Sequence, residues 1–174
     1  MRIWTVGHST RALDEFLTIL CAHDIHVIAD VRQFPGSRRY PQYNKEQLAQ
    51  SLANAGTNYV HFPELGGRRK PKADSRNMAW RNEAFRGYAD YMETSEFRQG
   101  AERLIGMASQ NTAIMCAEAV WWRCHRALIS DYLKARGFEV IHIMNERRTK
   151  LHPFTKAARM VAGVLSYGSD DELL

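Results

Sequence analysis

Residues 3–31, I-W-T-V-G-H-S-T-R-A-L-D-E-F-L-T-I-L-C-A-H-D-I-H-V-I-A-D-V, carry the pattern that decides the fold. Ile3–Val6 is a short apolar run closed by Gly7, which reads as a buried strand meeting a turn. Leu13, Phe16, Leu17 and Leu20 recur at the spacing of one helix face, predicting an amphipathic helix over residues 12–23. His26–Val31 is a second strand, stopped by the turn chemistry of Phe34-Pro35-Gly36-Ser37. Strand, helix and strand in this order make a parallel pair joined by a right-handed crossover.

The same alternation continues outward. Asn44 is a candidate N-cap for a helix ending near Ala55, with Gly56 at its C′ position, and Asn58–Phe62 is a third strand before Pro63. Residues 66–76 are basic, punctuated by Gly and Pro and aperiodic, and read as a mobile surface loop. Helical patterns over 82–93 and 95–109 precede a strand at Thr112–Cys116. A helix over 122–136 ends at Gly137, Glu139–Ile143 is another strand, and a last helix is expected over 154–165. The tail 166–174, acidic at Asp170, Asp171 and Glu172, is expected to fray. The prediction is an α/β fold: residues 1–174 as a single domain, a three-layer sandwich around a mostly parallel, Rossmann-like sheet of about five strands.

Composition narrows the class. The 174 residues are 45% hydrophobic and 25% charged, ordinary globular proportions that exclude disorder, and no apolar run is long enough to span a membrane. No signal-peptide pattern opens the chain, so a cytoplasmic location and no membrane partner are expected. The cysteines Cys21, Cys116 and Cys124 fit no disulfide framework, and Cys21 is expected to pack inside its helix. A net charge of +5 suits an anionic ligand or nucleic acid without requiring either, and it sets no oligomeric state. The runs Arg68-Arg69-Lys70-Pro71-Lys72 and Arg147-Arg148-Thr149-Lys150, and the pair Arg38-Arg39, read as solvated loop charge or as phosphate grips.

In a parallel sheet ligands bind beyond the carboxyl ends of the strands, and here those ends are chemically rich. Gly7-His8-Ser9-Thr10 follows the first strand; its hydroxyls suit helix capping, which leaves His8 unexplained. Asp30 and Arg32 share one side of an extended strand end, for a structural ion pair or for bidentate binding of a ligand carboxylate or phosphate. Leu65-Gly66-Gly67 follows the third strand and Cys116-Ala117-Glu118 the fourth, with Arg123-Cys124-His125-Arg126 opening the next helix. A thiol facing a helix start among arginines has a lowered pKa, so Cys116 reads as a nucleophile or, equally, as a buried strand residue. The strand–Cys–loop–Arg–helix plan of cysteine phosphatases and rhodaneses is approached but not met. Cys116 to Arg123 is one residue too long, no glycine lies between them, and Glu118 would repel a phosphate. Strand alternation favours a buried Cys116 and a cavity-facing Glu118, the latter a general acid–base group or a helix-start partner.

A metal site is not expected, because adjacent Cys124 and His125 on a helix would point about 100° apart. No cofactor is expected either. In Phe85–Met92, Arg86 and Asp90 at i, i+4 suggest a salt bridge, Gly87 marks close packing or a ligand, and Tyr88 joins the binding candidates. Trp121 and Trp122 divide between core packing and stacking on a ring.

Together the Gly7-His8-Ser9 turn, Asp30-Val31-Arg32, Leu65-Gly66-Gly67, Phe85–Met92, Met115–Glu118, Cys124-His125-Arg126 and His142-Ile143 resemble the bacterial and archaeal proteins grouped as domain of unknown function 488. Many members have a proline between the positions of Glu118 and Cys124. Ala119-Val120-Trp121-Trp122-Arg123 stands there instead, which resembles a tryptophan-bearing subgroup. The resemblance implies an α/β fold and no particular activity.

The functional expectation is an enzyme, a hydrolase or transferase, acting on a phosphate-bearing anion such as a nucleotide or nucleic acid. His8 and Glu118 would handle protons and Cys116 would be a possible nucleophile. Ser9, Asp30, Arg32, Gly66, Gly67, Arg86, Tyr88, Arg123, Cys124, His125 and Arg126 would bind the substrate. A non-catalytic nucleic-acid-binding module is the alternative, with the basic runs on phosphate and a tryptophan on bases. A thiol redox or metal protein ranks below both.

Overall fold

The computed structural model describes residues 1–169. Five parallel strands, β1 (Arg2–Gly7), β2 (Val27–Asp30), β3 (Asn58–His61), β4 (Thr112–Cys116) and β5 (Glu139–Ile143), lie in the order β3-β2-β4-β1-β5. A sixth, β6 (Thr149–Leu151), adds antiparallel to β5. Helices α1 (Leu13–Ala22) and α2 (Lys45–Asn54) connect β1, β2 and β3. Then α3 (Glu83–Met92) and α4 (Ser95–Gly106) lead from β3 to β4, and α5 (Arg126–Ala135) from β4 to β5.

Alternation along the strands builds the three layers, because successive side chains point to opposite faces. Ile28, Ala113 and Met115 pack with Phe16, Leu20, Leu48 and Leu52 from α1 and α2. Ala29 and Ile114 pack on the other face with Tyr88, Phe97, Leu104 and Leu128 from α3, α4 and α5. Each buried Leu, Ile, Met or Phe among these contributes about 1.5–3 kcal/mol relative to exposure. β1 therefore sends its loop to one face and its neighbour β4 to the other. The two strands run side by side to the register pair Gly7–Cys116. Their divergence is the topological switch point, where such sheets bind ligands.

Several local expectations are corrected. The expected helix over 154–165 is a hairpin of β7 (Arg159–Val161) and β8 (Val164–Ser166), because Ala162 and Gly163 both have positive φ, as a two-residue hairpin turn requires. The basic run 147–150, read as loop charge, supplies part of β6. Cys21 is exposed, one position past the buried Phe16-Ile19-Leu20 stripe. Asn44 makes no side-chain cap; its Oδ1 accepts from the Ser37 N–H at 2.6 Å. The Arg86–Asp90 pair does not form. Arg86 donates to the Trp80 and Arg81 carbonyls, while Asp90 accepts from Lys72 N–H, Ser75 Oγ and Asn77 Nδ2 at 2.6–2.8 Å. These bonds fasten the basic segment 66–76, expected to be mobile, onto α3. Tyr167 is buried and donates to Asp131 Oδ2 at 2.9 Å, so the start of the expected frayed tail is held down; the acidic residues 170–172 lie outside the described residues.

A buried polar chain ties the β5 side together. Thr5 donates to His142 Nδ1 at 2.7 Å, His142 Nε2 to His152 Nδ1 at 2.8 Å, and His152 Nε2 to Asp131 Oδ1 at 2.9 Å. Trp121 stacks flat on His142 with ring centroids 4.3 Å apart. Burial first, and the neighbouring His152, lower the His142 pKa to about 2.

Gly87 fixes the seat of the 66–76 segment, since a Cβ there would meet the Arg69 carbonyl oxygen at 2.3 Å. Gly87→Ala gains about 1 kcal/mol of helix propensity but overpacks backbone against backbone, at a cost of about 1–3 kcal/mol. The expected net result is a lower urea midpoint; a raised midpoint would show that Arg69 and Lys70 do not pack on α3.

Candidate functional site

The loops after β1, β2 and β4, with the start of α5 and Gly67-Arg68, enclose a cavity of about 590 Å³. Gly7 makes this convergence possible. A Cβ on it would lie 2.0 Å from the Glu118 carbonyl oxygen, so only glycine lets the β4 loop cross the end of β1. His8 N–H and Ser9 N–H then donate to the Cys116 and Ala117 carbonyls at 3.0 and 2.9 Å. Ser9 sits at φ 52°, a left-handed conformation that costs a non-glycine residue on the order of 1–3 kcal/mol.

Under the cavity lies a buried ion pair. Arg32 donates from Nε to Asp30 Oδ1 at 2.9 Å and from an Nη to Oδ2 at 2.6 Å. Tyr59 adds a hydroxyl donor to Oδ2, also at 2.6 Å. The other Arg32 Nη lies 3.3 Å from His8 Nε2, and His8 Nδ1 lies 2.8 Å from the Ser9 carbonyl oxygen. A guanidinium only donates and a carbonyl only accepts, so this geometry defines a neutral His8 with its proton on Nδ1. The ring is buried and stacks on Tyr43 at 4.0 Å. Burial first, and the Arg32 charge, lower its pKa to about 4.

Cys116 and Glu118, from the end of β4 and the loop after it, also line the cavity. Cys116 is half-buried, not enclosed by strand neighbours as strand alternation suggested. Its thiol donates to Cys124, and this bond, with burial, raises its pKa. Cys124 is shifted the opposite way, first by the bond from Cys116 and further by the charge of Arg126. The Arg126 backbone N–H and Nε reach its sulfur at 3.5 and 3.4 Å. The Arg126 donors therefore favour Cys124 over Cys116 as the thiolate of the pair.

The geometric objection to Cys124 and His125 acting together is also corrected. Cys124 is not helical: its backbone is extended (φ −132°, ψ 150°), so its sulfur lies 3.6 Å from His125 Nδ1. His125 Nε2 faces the Val31 carbonyl oxygen at 3.1 Å, which makes it the donor and leaves the Nδ1 lone pair toward the sulfurs. Gly67 abuts the ring; a Cβ there would meet Nδ1 at 2.9 Å.

The structure thus brings His8, Ser9, Arg32, Gly67, Cys116, Glu118 and His125 to one cavity, with Asp30, Cys124 and Arg126 directly behind its lining. Tyr88 and Gly66 lie outside the lining: the Tyr88 hydroxyl donates to the Leu65 carbonyl and its ring lies 5.0 Å from His125, while Gly66 packs on Gln33. Arg86 and Arg123 are elsewhere, so of the four arginines expected to bind the substrate only Arg32 lines the cavity; Arg68 joins it. Sequence reasoning missed Gln33, Ser37 and Tyr40, which line the cavity, and the supports Tyr43 and Tyr59. The signal for Gln33, Ser37 and Tyr40 was their place in the loop after β2, where only turn chemistry was read.

Fold and site define an α/β protein with a polar cavity at the switch point of its parallel sheet. The family model described as Domain of unknown function DUF488 matches residues 12–133, and the chain belongs to that family. The match takes in Arg32, Cys116, Glu118 and His125 and begins just after Ser9. Searches of curated proteins and of solved structures found no match. No helix among the described residues is long and apolar enough to cross a membrane.

The neutrality of His8 has a measurable sign. Its folded pKa of about 4 lies below the ordinary 6.5, so its contribution is complete above 6.5 and is lost as pH falls toward 4. The loss is on the order of 3 kcal/mol. Urea titrations from pH 7.5 to 4 should show His8→Gln losing less stability over this window than the wild type. Equal losses would mean that folded His8 titrates normally.

Proposed function

We propose that this chain is an enzyme, a hydrolase or transferase, that binds an anionic, phosphate-bearing substrate in the cavity beyond β1, β2 and β4. The observation that carries the reading is the Arg32 guanidinium, locked by Asp30 and lining the same cavity as Glu118, with a neutral His8 against it. Such an arrangement costs stability: a buried ion pair, a left-handed Ser9 and a desolvated imidazole serve the fold poorly and a ligand well.

The roles follow from the chemistry. Arg32 has donor hydrogens beyond those used by Asp30 and His8, and Arg68 brings a second cation to the rim; both suit phosphate oxygens. Glu118 is the acid–base group. With its pKa near 4, His8 is a weak proton carrier at neutral pH and acts by orienting Arg32. Cys116, whose pKa is raised by its bond to Cys124 and by burial, is a poor nucleophile.

A second reading, a nucleic-acid-binding module, draws support from Trp122, half exposed beside the exposed Arg123. A thermal-shift panel of nucleotides, sugar phosphates and inorganic phosphate separates the two. The enzyme reading predicts that a small anion raises the wild-type Tm, and that Arg32→Gln weakens the effect at least tenfold in half-saturating concentration. No response to any small anion, with salt-sensitive binding of single-stranded nucleic acid weakened by Trp122→Ala and not by Arg32→Gln, would establish the module instead.

A further inference from the structure

We infer that Cys116, Cys124 and His125 form a binding site for one divalent transition-metal ion of the zinc class, with an open coordination position on the cavity. The three ligand atoms lie within 4.8 Å of one another. The Cys124 Sγ–His125 Nδ1 distance is 3.6 Å. Zinc bonds of about 2.3 Å to sulfur and 2.0–2.1 Å to nitrogen, at a tetrahedral angle, place those two ligand atoms about 3.6 Å apart. Two thiolates and an imidazole select zinc, cobalt or iron over magnesium or calcium, which prefer oxygen.

The surroundings are those of a ligand set. His125 donates its Nε2 proton to the Val31 carbonyl, the outer contact that fixes the tautomer and aims Nδ1 at a metal. Gly67 leaves that nitrogen uncovered, where any larger residue would press on it. The two N–H donors of Arg126 orient the Cys124 sulfur. Cys116 and His125 line the cavity and Cys124 closes the set from behind. Three protein ligands with a fourth position facing a cavity is the layout of a catalytic, not a structural, ion.

Coordination as thiolates sends the thiol protons to solvent. In the enzyme proposed above, on which this further step rests, the fourth ligand is water. Glu118 takes one of its protons, and the resulting hydroxide forms a bond to the substrate's electrophilic atom. The leaving group departs with the electron pair of the broken bond and recovers the proton from Glu118.

Cobalt(II) titration of the reduced, chelator-treated protein tests the site directly. The expected result is one cobalt bound per chain, with a thiolate-to-cobalt charge-transfer band and intense tetrahedral visible bands, both abolished by zinc. Cys116→Ser, Cys124→Ser, His125→Gln and Gly67→Ala should each weaken cobalt binding at least tenfold. Urea midpoints identify any variant that fails to fold, and Gly67→Ala perturbs the site without deleting a ligand. Absence of the charge-transfer band, or a His125→Gln spectrum and affinity like those of the wild type, would overturn the assignment. So would a Cys116–Cys124 disulfide formed in air by a protein that takes up no cobalt when reduced. Cobalt binding lost in the variants, with no small anion altering either spectrum or Tm, would uphold the metal site and overturn the anionic-substrate reading.

Discussion

Asp30 is wholly buried at the end of a central strand, and the only cation close enough to balance it among the described residues is Arg32, two positions on. The rest of the site is arranged around this pair. Asp30 accepts from both the backbone and the guanidinium of Arg32, so the chain leaving β2 must fold back on itself. That fold-back directs the Val31 carbonyl to His125 and the Arg32 carbonyl to His61. The remaining arm of the guanidinium reaches His8 and ties the loop after β1 to the loop after β2. A buried pair of this kind contributes little net stability, because desolvation offsets attraction, but removing one partner leaves a charge stranded. It is a positioning device.

Close backbone approach supplies the second constraint. Gly7, Gly67 and Gly87 each stand where another segment comes so near that a methyl group would collide with it. Gly7 brings the β4 loop over β1, Gly67 admits the His125 ring, and Gly87 seats the basic segment on α3. All three contacts surround or support the same cavity, so the sheet end is packed to a fixed shape. The thiol pair lies within that shape, with its donors supplied by the first turn of α5.

Much of this was legible in the chain. Short strand-like runs bounded by turn residues, and helical spacing between them, pointed to β1 to β5 and α1 to α5; burial on both sheet faces makes the runs of β1, β2 and β4 apolar. The polar residues after β1, β2 and β4 marked the end of the sheet where the cavity lies. What escaped depended on contacts distant in sequence. Arg86 and Asp90 are spaced for a salt bridge, but Asp90 satisfies itself on the 72–77 backbone and side chains. Ala162-Gly163 form a hairpin turn inside a stretch of helical composition. Cys124 was placed on the helix because the pattern starts near residue 122; an extended backbone two residues before α5 reverses the conclusion about its partnership with His125. The support from Tyr43 and Tyr59 is invisible without the crossover that lays their elements beside His8 and Asp30.

Arg32, locked by Asp30, donates to a neutral His8 and so sets the electrostatics of the cavity. Nitrogen-15 NMR of the histidine rings at neutral pH measures this directly, with His8→Gln identifying the resonances. The expected spectrum is that of a neutral His8 protonated on Nδ1, its Nε2 carrying the lone pair that faces Arg32. An imidazolium, or a ring protonated on Nε2, would place a hydrogen against the Arg32 guanidinium and contradict it.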